Sequence, residues 1–228
     1  MFKRVMDILC KIDYRLSSHA HSRAPHQLES IIKKLRFYRK GKYSNLLDIG
    51  GGTEVQYKKE LSIITNKYHN LEISKAKNVD IVGSVYKLPI ESNSYDLVTL
   101  FMVLEHLNEP IMALKDCFRV LKNGGYLVIT TVQYWHTHNY PDDFYRYTKQ
   151  GLEYLCKKAG LKIVDIWSLG GPFLVLFHMI EINLNDFPRV LFSICFYRLA
   201  DWLDWVYFKH NDHRKNSDSV GWTLIATK

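Results

Sequence analysis

Three consecutive glycines, Gly50-Gly51-Gly52, follow Asn45-Leu-Leu-Asp48-Ile and precede Thr53-Glu54. Apolar residues running into glycines predict a buried strand that ends in a tight loop. Such a loop can take positive φ and approach a ligand that a Cβ would push away. A helix expected over 55–62 would then turn its first N–H groups toward polar ligand atoms. This is nucleotide-binding chemistry, placed at the carboxyl end of the first strand of an open α/β sheet. The third small residue of a dinucleotide fingerprint is replaced by Val55, and no Gly-Lys-Ser/Thr follows, which excludes a phosphate-cradling P-loop. A plain glycine turn is the alternative. Glu72 lies 22 positions after Gly50, at the end of an expected second strand. A carboxylate there can accept two hydrogen bonds from ribose hydroxyls.

A second set of reactive side chains lies further along. The expected fourth strand, 96–101, leads to Glu105-His106, two titratable groups on the sheet edge where packing would favour apolar residues. After the expected fifth strand, 126–131, residues 133–148 bring together Tyr134, Trp135, His136, His138, Asp142, Asp143, Tyr145 and Arg146. That density of polar and aromatic groups suggests a site for a second molecule. The alternative for Arg146 is a structural pair with Asp142 or Asp143, with Thr148 capping the next helix.

Stepping along the chain places these groups on elements. Residues 27–39 carry an apolar helical stripe, Leu28, Ile31, Ile32 and Leu35, and Gly41 stops the helix. Strands are expected near 45–49, 67–74, 79–82, 96–101, 126–131, 161–167 and 221–227, alternating with helices that include one from Asn108 and Pro110 and one over 148–160. That alternation predicts a Rossmann-like α/β fold, a seven-stranded, mostly parallel sheet with helices on both faces and an antiparallel last strand. Residues 170–219 form an insertion rich in apolar and aromatic residues. Its charges, Glu181, Asp186, Arg189 and Arg198, leave no uncharged run of the roughly 18–20 residues needed to cross a bilayer.

The 228 residues fit one domain with an appendage. The division expected is a basic helical arm over 1–42 and a catalytic domain over 43–228. Residues 1–42 hold 11 Lys/Arg against Asp7, Asp13 and Glu29, which accounts for the whole net charge of +8. A basic arm suits an anionic partner, or is simply a solvated helical face. Four dispersed cysteines without a C-x-x-C pair point to free thiols and a cytoplasmic protein. Met1–Cys10 lacks the apolar run of a signal peptide. No metal framework and no nucleic-acid module is read.

Asp48-x-Gly50-x-Gly52-Thr53 resembles motif I of class I S-adenosylmethionine-dependent methyltransferases. The run Leu88-Pro-Ile-Glu-Ser-Asn-Ser-Tyr-Asp96-Leu-Val resembles their approach to the fourth strand, and Arg119-Val-Leu-Lys-Asn-Gly-Gly-Tyr-Leu127 their approach to the fifth. Asp143, Tyr145, Arg146 and Thr148 match a "H-D-Y-Y-R-F-T" segment of a type 11-like subgroup associated with surface-polysaccharide biosynthesis. Three departures stand out: Ser84 where an Asp is common, Asp142 where that segment has His, and Glu54 where many relatives have Gly. The resemblance implies S-adenosylmethionine as cofactor, with Asp48, Gly50, Gly51 and Gly52 at its methionine part, Glu72 on the ribose, Ser84 and Val85 by the adenine, and Glu105 bordering the sulfonium beside His106. A hydroxyl acceptor would gain from a general base. His106 and His138 come first, then His136 and Asp143, since imidazoles titrate near neutrality. Tyr134, Trp135, Tyr145 and Arg146 would bind the acceptor. The acceptor implied is a sugar hydroxyl of a polysaccharide or glycolipid, anionic or lipid-linked, reached by peripheral contact with the inner membrane face, with a homodimer as a further use of the insertion. The other readings are a quinone-precursor methyltransferase and a binding protein that has lost the cofactor.

Overall fold

The computed structural model describes residues 24–138, 142–184, 196, 199–209 and 219–228. Residues 1–23 of the expected basic arm, and 185–195, 197–198 and 210–218 of the expected insertion, lie outside them. Two compact units emerge, divided at residue 31, around 134–136, at 168 and at 220.

The larger unit is built on a seven-stranded sheet: β1 (Tyr43–Ile49), β2 (Thr65–Glu72), β3 (Ile81–Val82), β4 (Tyr95–Phe101), β5 (Leu121–Val132), β6 (Lys162–Leu169) and β7 (Gly221–Thr227). Their order is β3-β2-β1-β4-β5-β7-β6. β1 pairs parallel with β2 and β4, and β7 runs antiparallel to β5. The mostly parallel sheet with an antiparallel last strand is therefore as expected. Strands covered on both faces read as apolar runs. Leu46, Leu47, Leu97, Val98, Leu127, Val128, Leu224 and Ile225 are all inaccessible to solvent. Trp222 is buried with them, and its Nε1–H donates to the side-chain oxygen of Gln133 at 2.7 Å, so the one polar atom of the indole is satisfied.

Helix α1 (Ala24–Tyr38) buries Leu28, Ile31 and Leu35 from one stripe and ends at Gly41, whose φ is +88°. α3 (Pro110–Val120) and α4 (Lys149–Lys158) bury Leu114, Cys117 and Val120, and Leu152 and Cys156, respectively. Thr148 caps α4, its Oγ1 accepting from Gly151 N–H. Asn108 does not cap α3. Its side-chain oxygen instead accepts from the Tyr86 hydroxyl at 2.7 Å, and Glu109 takes the cap position. The helix expected after the glycine loop also shrinks, to a single turn, α2 (Lys58–Leu61). Val55 at φ +44° interrupts right-handed winding before it, so the loop does not feed a helix N-terminus.

Two of the recognisable sequence runs hold each other. Arg119 donates to the carbonyls of Leu88 and Ile90 and forms a bidentate pair with Asp116, which accepts from Leu88 N–H. The loop before β4 is thus pinned to α3, a structural task that leaves the ligand edge to other residues.

The smaller unit contains α5 (Pro172–Glu181) and a helical run over 199–209. The buried Asp204 carboxylate accepts from Gly171, Phe173 and Leu174 N–H, serving the free donors at the start of α5 from a distant part of the chain. Leu174, Ala200 and Val220 form its core, with Trp135, Phe173, Val175 and Phe177 packed on them. Among the described residues no helix is long and apolar enough to cross a membrane.

Candidate functional site

Because β1, β2, β4 and β5 are parallel, their carboxyl ends share one edge, and the segments leaving it carry the chemistry. Gly50 and Gly52 sit at φ +76° and +71°, conformations that a side chain would strain. Gly50 N–H donates to the Leu71 carbonyl, and a Cβ on Gly50 would come within 2.5 Å of Val103 Cγ2. Gly52 N–H donates to Glu72 Oε1 at 2.7 Å. The other oxygen of Glu72 takes no hydrogen bond among the described residues.

Beneath the loop Asp48 is buried, its oxygens accepting from the hydroxyls of Thr99 and Tyr68 at 2.6 Å each. Desolvation pushes its carboxyl up to about 6, against the pull of those two hydroxyls. Asn70 lies beside it. Its amide N–H groups donate to the carbonyls of Gly52 and Asn78, while its buried oxygen has no partner. A Cβ on Gly51 would fall 2.7 Å from that oxygen and 2.7 Å from Asp48 Oδ2. Gly51 thus packs directly against an unsatisfied acceptor and a carboxylate, with no room for a side chain. These groups fit a polar cationic ligand end such as the aminoacyl part of S-adenosylmethionine, with Glu72 next to it for hydroxyls. Ser84 Oγ accepts weakly from Tyr86 N–H, and Val85 is buried in the core of the larger unit.

The second cluster follows β4. Leu104–His106 forms a 3₁₀ turn that swings Glu105 inward. Glu105 is inaccessible to solvent; its Oε2 accepts from Thr131 at 2.8 Å and its Oε1 has no partner. Burial raises its pKa, opposed by its own backbone N–H, by the hydrogen bond from Thr131 and by His106 and His138. The rings of His106 and His138 meet edge to face at 5.0 Å. A ligating atom of each lies within 4.8 Å of one on Glu105.

Residues 142–147 are laced onto the same turn. Phe144 and Tyr145 N–H both donate to the Glu105 carbonyl, Tyr145 Oη donates to the Asn108 carbonyl, and Tyr147 Oη to that of Leu104. Asp143 makes a two-pronged pair with Arg146, at 2.5 and 2.7 Å, and accepts from the backbone N–H of His138. The Arg146 guanidinium holds its carboxyl far below the usual carboxylate range, outweighing a smaller push from burial.

Tyr134, Trp135 and His136 belong to the smaller unit. Trp135 stacks on His178 at 3.9 Å, and His136 Nδ1 lies 3.0 Å from His178 Nε2. Sequence reasoning missed the residues that hold these groups: Tyr68, Thr99 and Asn70 around Asp48, Thr131 under Glu105, and His178. Asn70, a polar residue inside an expected strand, carried a readable signal. The others look like ordinary strand or helix residues.

Comparison with known proteins identifies the family. The profile of the family described as "Methyltransferase domain" matches residues 20–166. The chain is 35% identical over 79 residues to an uncharacterized methyltransferase of Schizosaccharomyces pombe, 34% of this chain and 28% of that protein. It is 27% identical over 148 residues to the demethylmenaquinone methyltransferase of Lactococcus lactis, 61% of this chain and 54% of that one. The chain thus spans between about a quarter and about half of these relatives. A putative sarcosine dimethylglycine methyltransferase from Galdieria sulphuraria superposes with TM-score 0.59 at 17% identity, over 92% of this chain and 87% of that one. Phosphoethanolamine N-methyltransferase 2 of Haemonchus contortus, in complex with S-adenosyl-L-methionine, gives 0.56 at 20% identity over 89% and 52%. At these identities the two structures speak for the fold.

Proposed function

The chain belongs to the methyltransferase-domain family, and from that premise we propose that it transfers the methyl group of S-adenosylmethionine to a hydroxyl of a small-molecule acceptor, a sugar of a polysaccharide or glycolipid. S-adenosylmethionine is the cofactor. When bound it supplies a methyl group already strongly electrophilic, so the protein's main work is alignment.

One observation carries the reading. The glycine cradle over Asp48 and Asn70 and the Glu105–His106–His138 cluster leave the same edge of one sheet, in one compact unit. The cradle binds the donor. Glu72 takes ribose hydroxyls with the oxygen not used by Gly52. The Glu105–His106–His138 cluster lies on the acceptor side and promotes loss of the acceptor proton. Asp143, clamped by Arg146, holds the backbone of His138 in place, and Tyr145 lines the acceptor side. The match of Asp143, Tyr145, Arg146 and Thr148 to the polysaccharide-associated segment supports the sugar.

Peripheral membrane contact fits the smaller unit, where Leu176, Met179, Trp202 and Trp205 are exposed. A second reading, C-methylation of a quinone precursor, is favoured by relatives bearing that activity in their names. It uses the same cradle.

Calorimetric titration with S-adenosylmethionine and S-adenosylhomocysteine tests the core of the proposal. Micromolar binding by the wild type, lost in Gly50→Arg and Glu72→Ala, is expected. Labelled-methyl transfer to sugar acceptors, but not to quinone precursors, would then favour the sugar. A folded protein that binds neither ligand would remove the enzyme reading altogether.

A further inference from the structure

We propose that Glu105, His106 and His138 form a site for a first-row divalent transition-metal ion, with coordination positions left open for the acceptor. Two imidazoles and one carboxylate are the donor set of open catalytic sites for such ions. The three ligating atoms lie within 4.8 Å of one another. Ligands around an ion at about 2.1 Å are separated by about 3.0–3.4 Å, a distance that small side-chain rotations reach.

Two further features point to an ion. Glu105 is inaccessible to solvent, yet only Oε2 is satisfied, by Thr131; Oε1 has no partner and belongs to the carboxylate facing the two rings. A buried acceptor left in this way destabilises the fold, and an ion would offset that. His106 Nδ1 lies 2.5 Å from the carbonyl of Asp142. A carbonyl only accepts, so Nδ1 carries the hydrogen, and in the neutral ring the lone pair is left to Nε2. An outer hydrogen bond to a backbone carbonyl is the support that metal-bound imidazoles usually have. His138 has a comparable neighbour, Asp143 Oδ2, 3.4 Å from its Nδ1, and Arg146 holds that carboxylate in turn.

The proposal rests on the methyl-transfer reading for what the ion does, not for whether it binds. An acceptor hydroxyl bound to the ion loses its proton to water more readily. The oxygen lone pair forms the bond to the methyl carbon, the carbon–sulfur bond breaks, and its electrons stay on sulfur to give S-adenosylhomocysteine.

The test is a Co²⁺ titration of the full-length, chelator-stripped protein, followed by visible absorption and by bound-metal analysis, with S-adenosylhomocysteine binding measured in parallel. We expect one Co²⁺ per chain with a visible ligand-field band. Affinity should fall at least about tenfold in Glu105→Gln and in His106→Gln, with unchanged circular dichroism. A His106→Gln/His138→Gln double variant that keeps the wild-type stoichiometry and spectrum would overturn the site, as would a wild type that binds no Co²⁺. Methyl transfer that persists undiminished in the chelator-stripped protein overturns the ion's part in the reaction and leaves the transferase. A Co²⁺ spectrum on a protein that cannot bind S-adenosylhomocysteine keeps the metal and removes the transferase.

Discussion

Replacing Asp48 by Asn should make the ligand-free protein more stable at neutral pH while weakening its hold on the cofactor. Asp48 is buried beneath the glycine loop, and desolvation raises its carboxyl from 3.8 to about 6 in the folded chain. Because the folded pKa is the higher one, the native state binds the proton more tightly than the unfolded state. The group's favourable contribution is complete below about pH 3.8 and is lost as pH rises through about 6. That displacement corresponds to roughly 3 kcal/mol carried as a penalty at pH 7 and above. Asn keeps the shape, still accepts one of the two hydroxyl hydrogen bonds, and has no charge to desolvate. The difference in unfolding free energy between variant and wild type should therefore shift toward the variant by about 3 kcal/mol between pH 4 and 7, then stay level to pH 8.5. Urea denaturation of both proteins across this range measures it. In a chain of this size the same difference is worth roughly 6–12 °C in Tm. Parallel stability curves, or a wild type that gains on the variant as pH rises, would refute the desolvation argument. Calorimetry at pH 7.5 should show S-adenosylhomocysteine binding weakened in the variant despite its greater stability.

Gly50→Ala should lose S-adenosylhomocysteine binding and cost about 1–3 kcal/mol in denaturant melts, since its Cβ would sit 2.5 Å from Val103 Cγ2 at a φ of +76°. Thr131→Val removes the hydroxyl that donates to buried Glu105 and should destabilise by about 1–3 kcal/mol at pH 8, with Thr131→Ser restoring most of it. Arg146→Ala strips the two-pronged partner from Asp143. We expect about 1.5–3 kcal/mol of lost stability, and a fall in methyl transfer that Arg146→Lys only partly recovers. Cys117 and Cys156 are buried, and burial raises both thiols, Cys156 to about 12. Neither should react with iodoacetamide in the native protein at pH 8, and both should in urea; mass spectrometry reads the difference.

Sequence by itself determined the architecture and the position of the glycine loop between Asp48 and Glu72. Apolar runs punctuated by Gly50–Gly52, Gly124-Gly125 and Gly160 located the strands and helices, because strand burial and glycine conformation are local constraints written in residue type. Asp48 and Glu72 were legible because a strand end before a glycine loop restricts where a carboxylate can go. The first turn after that loop was not legible: Val55 takes a left-handed conformation, and the resulting one-turn α2 depends on packing. β5 likewise begins at Leu121, ahead of the glycines that were expected to precede it, through a register shift against β4. What only the tertiary structure decided is which titratable groups meet. His136 and His138 are two residues apart, yet one contacts His178 in the smaller unit and the other Glu105 and His106 in the larger. Spacing in a loop carries no such information, because a loop's path is set by the hydrogen bonds it finds, here the carbonyls of Glu105 and Leu104. The charge state of Glu105 is likewise a product of burial and of Thr131, a neighbour 26 positions away in the chain.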